Sequence, residues 1–322
     1  MNTMTAMQSY VAQFLEERRR LGFASRSMGH ALRSFAHYID GLGTPAPLTV
    51  EAMAAWARCP KNGSDNPLTW ARRLKILRPF ARWMQQFEPG TEVPDDTVFG
   101  GVDQRLAPHI YTEQEIADLL VAARGLCPPL RGATYETLFG LLAATGLRVS
   151  EALHLFDADV DLRSGLLTVR RTKFAKSRQI PLHPSTLEAL KAYCRLRDRQ
   201  VARREETPFF VGTRGERQGC AMSLRQVARV FRGLSDQLGW INRGAHHAPR
   251  IHDLRHTFVV RRMLLWQAQG VDVDQQMLAL ATYVGHAMVT NTYWYITAVP
   301  ALMALAAERF EPLPPSAEVD HV

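Results

Sequence analysis

No run of about 18 apolar residues occurs anywhere in the chain. The N-terminus also lacks an apolar segment followed by a small-residue cleavage site. The expectation is a soluble, cytoplasmic protein with no membrane partner. Cysteine is scarce: Cys59, Cys127, Cys194 and Cys220 stand far apart and form neither a CxxC pair nor a metal-ligand spacing. They read as reduced, mostly structural thiols. There is no internal repeat and no low-complexity tract, which excludes solenoids and disordered tails. Lysine is also rare, and Lys61, Lys75, Lys173, Lys176 and Lys191 are the only ones in the chain.

Against these absences stands a surplus of arginine. Lys and Arg total 39 against 31 Asp and Glu, a net charge of +8. Such a surplus favours a polyanionic partner, and arginine forks onto phosphate oxygens better than a point-charge ammonium does. The 322 residues, 46% hydrophobic and 22% charged, suit a packed chain of two domains.

Apolar residues recur at helical spacing from residue 4 to about 41, with a break near Gly22, and again over 68–87 through Trp70, Leu74, Leu77, Phe80, Trp83 and Met84. Thr49 opens a short helix between them. Arg72, Arg73, Lys75, Arg78 and Arg82 decorate the last helix, and a basic helix of this kind can press on a DNA backbone. Residues 88–108, with Pro89, Gly90, Pro94, Gly100, Gly101 and Pro108, have linker composition. We therefore expect a helical domain over 1–95, a linker over 96–108 and a second domain over 109–322.

The second domain opens on a capping box, Thr112-Glu113-Gln114-Glu115, and continues with helices interrupted at Gly146. Two β-prone runs, 166–169 and 178–182, read as a hairpin whose basic tip carries Lys173, Lys176 and Arg178. In His252-Asp253-Leu254-Arg255-His256, a helix would place His252, Arg255 and His256 on one face, able to hold a phosphate. Val284-Gly285-His286 follows, then Tyr293, Trp294 and Tyr295.

Ala144-Thr145-Gly146-Leu147-Arg148-Val149-Ser150-Glu151, the His252–His256 run, and Val284-Gly285-His286 with Tyr295 nine residues on resemble, in order and spacing, the three motifs of the tyrosine recombinases, the phage-integrase family. The resemblance covers about residues 109–300; the N-terminal module resembles the family's SAM-like core-binding domain only in outline. It implies a mainly α fold with a small β-hairpin or sheet (α+β), arranged as a two-domain C-shaped clamp. It implies that Tyr295 attacks DNA to form a 3′-phosphotyrosine, that Arg148 and Arg255 clamp the phosphate, and that Lys173 protonates the leaving oxygen. His252 would act as base or hold the phosphate, His286 would bond the phosphate, and Glu151 would orient the clamp. Phe174 and Ala175 replace the Gly-containing tip usual in the family, so Lys176 stays an alternative to Lys173, as Tyr293 does to Tyr295.

The implied partner is double-stranded DNA with an inverted-repeat core site. It would be bound by a homotetramer that exchanges its C-terminal helix, residues 301–310, with accessory proteins left open. That helix could equally pack on its own domain. No metal, cofactor or ATP is expected, and Arg72, Arg73, Lys75, Arg78, Lys176 and Arg178 are the expected DNA contacts. Two rival readings remain. One is a zinc site built on His252, His256 and His286, disfavoured because Arg255 adds positive charge between two of the ligands. The other is a DNA-binding accessory or regulatory protein that does not cleave.

Overall fold

The computed structural model describes residues 6–23, 26–43, 47–59, 65–102, 105–170, 177–202, 206–298 and 302–303. Lys173, Lys176 and most of 301–310 lie outside them. The chain divides into two compact units, Met1–Arg105 and Leu106–Val322. No helix among the described residues is long and apolar enough to cross a membrane.

Four helices build the first unit: α1 (Ala6–Arg20), α2 (Arg26–Leu42), α3 (Val50–Arg58) and α4 (Pro67–Met84). Thr49 caps α3 by accepting from the Ala52 N–H, and Asn66 caps α4 by accepting from the Leu68 N–H, with Pro67 in the first turn. The apolar stripes meet in an aromatic core of Phe14, Phe35, Trp56, Phe80 and Trp83. Each such ring contributes about 1.5–3 kcal/mol by leaving water.

This packing corrects part of the expected DNA surface. Arg73 lies 4.0 Å over the Trp56 ring and donates to the Trp56 carbonyl at 2.9 Å. Arg78 donates to Asp96 at 2.5 Å and is largely buried. Both guanidiniums are committed to the fold, because α4 turns them toward α3 and the following segment. Arg72 and Arg82 are exposed on α4, with Lys75 half-buried beside them. The expected linker is also partly packed: Val93, Val98 and Phe99 lie on this core, Phe99 5.7 Å from the Trp70 ring.

The second unit holds α5 (Glu113–Arg124), α6 (Pro129–Thr145), α7 (Val149–Leu153), α8 (Pro184–Arg197), α9 (Leu224–Leu238), α10 (Asp253–Ala268), α11 (Val273–Val284) and α12 (Thr290–Ala298). Both bonds of the Thr112–Glu115 capping box form. An antiparallel sheet has the order β1 (Val160–Asp161), β2 (Leu166–Val169), β3 (Arg178–Pro181), with Val160 opposite Leu167 and Leu167 opposite Ile180. Strand β1, two residues long, has no periodicity to read and was not expected. The sheet turns Leu167, Val169 and Ile180 onto the core that includes Leu138, Leu142, Tyr193 and Leu254.

Helix α8 ends at Arg197, whose side chain turns inward. It is 1% exposed and donates to both Asp157 oxygens, at 2.6 and 3.1 Å, and to the Phe209 carbonyl at 2.9 Å. Replacing Arg197 by Met removes both guanidinium bonds from the buried Asp157 carboxylate. Urea unfolding should show a loss of about 3–5 kcal/mol for Arg197→Met, and a double Arg197→Met, Asp157→Leu variant should recover part of it.

Candidate active site

Helix ends build this site. Helix α6 stops at Gly146, a left-handed residue (φ +62°) where an added Cβ would meet the Phe258 ring at 2.6 Å. Its carbonyl accepts from Arg255 Nη1 at 2.7 Å, and Arg255 itself, on the first turn of α10, is 2% exposed. Helix α11 ends in a Schellman turn at Gly285 (φ +73°), with His286 N–H bonded to Ala281 O at 2.8 Å and Gly285 N–H to Thr282 O at 3.1 Å. The Gly285 carbonyl accepts from Arg148 Nη2 at 2.8 Å. The second arginine motif is thus bonded to the first, and the first to the histidine motif. Carbonyls at helix C-termini lack intrahelical partners and sit at the negative end of the dipole, so guanidiniums satisfy them well.

Glu151 joins the arginines. Arg148 Nη1 donates to Oε1 at 2.7 Å and the Arg148 N–H to Oε2 at 3.0 Å. Arg178 corrects the expectation of a DNA contact at a hairpin tip. It is the first residue of β3, 11% exposed, and its Nη2 donates to Glu151 Oε2 at 2.8 Å while Nε donates to the Tyr283 carbonyl at 2.9 Å. A Cβ on Gly285 would stand 2.6 Å from Arg178 Nη1. Arg178 therefore sits beneath the turn that carries His286, with its donors used on the protein.

The nucleophile candidate lies against this frame. The Tyr295 side chain is 2% exposed, packed with Val259, Met263, Val284 and Leu302. Its hydroxyl lies 2.5 Å from His256 Nδ1. The His286 ring stacks on Tyr295 with centroids 6.4 Å apart, and its Nδ1 is fixed 2.7 Å from the Thr292 hydroxyl. Tyr293 is turned elsewhere: it is exposed, and its phenol is pushed above its ordinary value by burial of part of the ring and by Asp274. Of the two tyrosines, only Tyr295 is at the histidines.

The electrostatics of the site are set by burial and by crowded positive charge. Burial pushes the Arg255 guanidinium down to about 10, helped by the positive charge of Arg148. One Arg255 nitrogen, Nη2, is buried with no hydrogen-bond partner among the described residues. His252 stands exposed at the N-cap position of α10 without a side-chain capping bond, but crowding by protein and then by Arg255 and Arg250 lowers it to about 4. His256, 4.9 Å from it ring to ring, is lowered to about 2 for the same reasons. Both imidazoles are neutral at working pH.

Arg148, Glu151, Arg255, His286 and Tyr295 are therefore brought together, with His252 at the rim; the lysines of the hairpin turn lie outside the described residues. Sequence reading placed Arg178 on DNA and His256 on a phosphate-holding helix face, without the bonds to Glu151 and Tyr295 seen here, and it overlooked Thr292. His256 shares the helix face already noted for His252, which was a usable signal. Thr292 carried none.

The sequence pattern of the phage integrase family matches residues 110–300. The protein y4rB of Sinorhizobium fredii, named as an integrase/recombinase, is 36% identical over 314 residues, spanning 96% of this chain and 98% of its own. Tyrosine recombinase XerC of Thermodesulfovibrio yellowstonii is 27% identical, covering 91% and 92%. Among solved structures the fold resembles the integrase of transposon Tn1549 in complex with transposon right end DNA (TM-score 0.66, 17% identity, 95% and 99% covered). It also resembles XerH bound to palindromic difH (TM-score 0.63, 18% identity, 88% and 79% covered). The chain belongs to the phage integrase family, the tyrosine site-specific recombinases.

Burial would raise the Glu151 carboxyl, but hydrogen bonds and charge from Arg178 and Arg148 outweigh it and hold the group below its ordinary value. A carboxylate lowered on folding stabilises fully above its unfolded value, about 4.3, and loses that contribution as pH falls through the folded value. Glu151→Gln should therefore cost about 3 kcal/mol near pH 7. Its deficit relative to the unchanged protein should shrink as unfolding is measured toward pH 3; a deficit constant with pH would exclude this origin.

Proposed function

We propose that this recombinase cleaves and rejoins DNA strands through a 3′-phosphotyrosine on Tyr295, without metal or ATP. The observation that carries the reading is the buried Nη2 of Arg255, without a partner among the described residues, in the same site as the Arg148–Glu151 pair and next in the chain to the histidine that meets the Tyr295 hydroxyl. A desolvated donor without a partner is unfavourable until an anion arrives, and a phosphodiester supplies one.

Arg255 and Arg148 bind the non-bridging oxygens and stabilise the charge that grows on them. Neutral His252 and His286 hydrogen-bond the same phosphate. Lys173, or Lys176 in its stead, gives a proton to the departing 5′ oxygen. Because the phosphotyrosine keeps the energy of the broken bond, a 5′ hydroxyl can reverse it without ATP.

The partner on this reading is double-stranded DNA in the cytoplasm, with Arg72, Lys75 and Arg82 resting on its backbone. An inverted-repeat core site and a tetramer follow from two active sites per strand exchange, supported by the palindromic DNA in the XerH complex. The context is a mobile element or replicon resolution; the first is supported by the Tn1549 integrase, solved on transposon right end DNA. The 301–310 segment would pass to a neighbouring subunit or pack on its own domain; of its two described residues, Leu302 is buried in the Tyr295 cluster. The rival, a binder that does not cleave, has no use for a tyrosine on a histidine cluster.

Nicked duplexes from a broad fragment library, incubated in EDTA, should yield an SDS-resistant protein–DNA adduct. Tyr295→Phe should abolish it and Tyr293→Phe should leave it. Tight DNA binding with no adduct from the unchanged protein would favour the binder.

A further inference from the structure

We propose that His256 is a further catalytic residue, whose Nδ1 takes the proton of the Tyr295 hydroxyl as that oxygen attacks phosphorus; this rests on the recombinase reading above. The hydroxyl lies 2.5 Å from Nδ1, and the rings are 5.4 Å apart and inclined by 55°, so the lone pair meets the O–H rather than the ring face. With the phenol as donor, Nδ1 must be the bare nitrogen and the ring proton sits on Nε2. That nitrogen is 4.0 Å from Oδ1 of Asp253, a carboxylate with no exposed surface, held in place by Arg250 Nη2 at 2.7 Å. The aspartate is therefore near the far side of the imidazole without a hydrogen bond to it, close enough to favour the imidazolium once it forms.

The groups around His256 explain why it accepts only during reaction. Burial, His252 and Arg255 from its own helix, Arg250 from the preceding loop and His286 from the end of α11 all disfavour its charged form. In the resting protein the ring is neutral and its lone pair is always available. A bound phosphodiester adds negative charge at these arginines and lowers the cost of the imidazolium. In the step, the Tyr295 Oη–P bond forms and the P–O5′ bond breaks. The phenolic proton moves to His256 Nδ1, and the departing 5′ oxygen takes a proton from the hairpin lysine. Rejoining runs the transfers backwards, with His256 returning its proton to Oη. His252, at the solvent edge, is left to the phosphate.

The test uses the full chain and the nicked duplex on which the unchanged protein forms its adduct. His256→Ala and His256→Asn should bind this duplex within about twofold of the unchanged protein and form the adduct on the order of 10²-fold more slowly at saturating DNA. Asn keeps an acceptor near the Nδ1 position but cannot take a proton. A duplex with a 5′-bridging sulfur at the scissile bond, whose thiolate leaves without a proton, should rescue Lys173→Ala and not His256→Ala. Without DNA, the ¹⁵N resonance of His256 Nδ1 should move in Tyr295→Phe. Adduct formation at the unchanged rate in either His256 variant, rescue of His256→Ala by the bridging sulfur, or an unmoved Nδ1 resonance would each overturn the proposal. Absence of adduct from the unchanged protein on every duplex would instead overturn the recombinase reading beneath it.

Discussion

A guanidinium bonded to the carbonyl end of a helix is the contact on which this site depends. Arg255 closes on the end of α6, and Arg148 and Arg178 close on the end of α11. Each charged hydrogen bond of this kind is worth about 1.5–3 kcal/mol, and it does more than stabilise. Through bonds that each span over a hundred residues, it ties separate stretches of chain into one frame. Lysine could not replace these arginines, since a single ammonium cannot reach a carbonyl with one nitrogen while leaving another aimed elsewhere. Glu151 completes the frame by pairing with two of the guanidiniums and offsetting one of their charges, which eases crowding them together.

The glycines follow from the same requirement. Gly146 and Gly285 take left-handed conformations that end their helices and turn their carbonyls toward arginine, and at each a side chain would strike a neighbour. The arginines in turn set the histidines. Positive charge and burial keep His252 and His256 neutral, so they act as hydrogen-bonding groups and proton acceptors rather than as further cations competing for the phosphate. The fold thus stores positive potential in arginines, which stay charged at working pH, and leaves proton movement to the histidines and the tyrosine.

Much of this was legible in order and spacing. The capping box, the helical stripes of the first unit and the three motifs stand where the apolar periodicity and the resemblance to the family put them. Charge was less legible. Arg73, Arg78 and Arg178 read as exposed cations because sequence shows a guanidinium but not which way it turns; one lies on Trp56, one on Asp96 and one under Gly285. A two-residue strand such as β1 has no pattern to detect. The linker composition at 88–108 concealed Val93, Val98 and Phe99, whose burial depends on a core assembled from helices earlier in the chain. His256 was visible as a side chain on the right face, but its bond to Tyr295 is a contact across 39 residues that no local rule supplies.

The central claim is that the arginine frame is built before DNA arrives and receives the phosphate without rearranging. A crystal structure of Tyr295→Phe on its own cognate duplex tests it most directly. The account predicts the scissile phosphate bonded to both Arg148 and Arg255, with Arg255 still on the Gly146 carbonyl, Arg148 still on the Gly285 carbonyl, and Arg255 Nη2 on a phosphate oxygen. A phosphate held elsewhere, or arginines that have left those carbonyls to reach it, would contradict it.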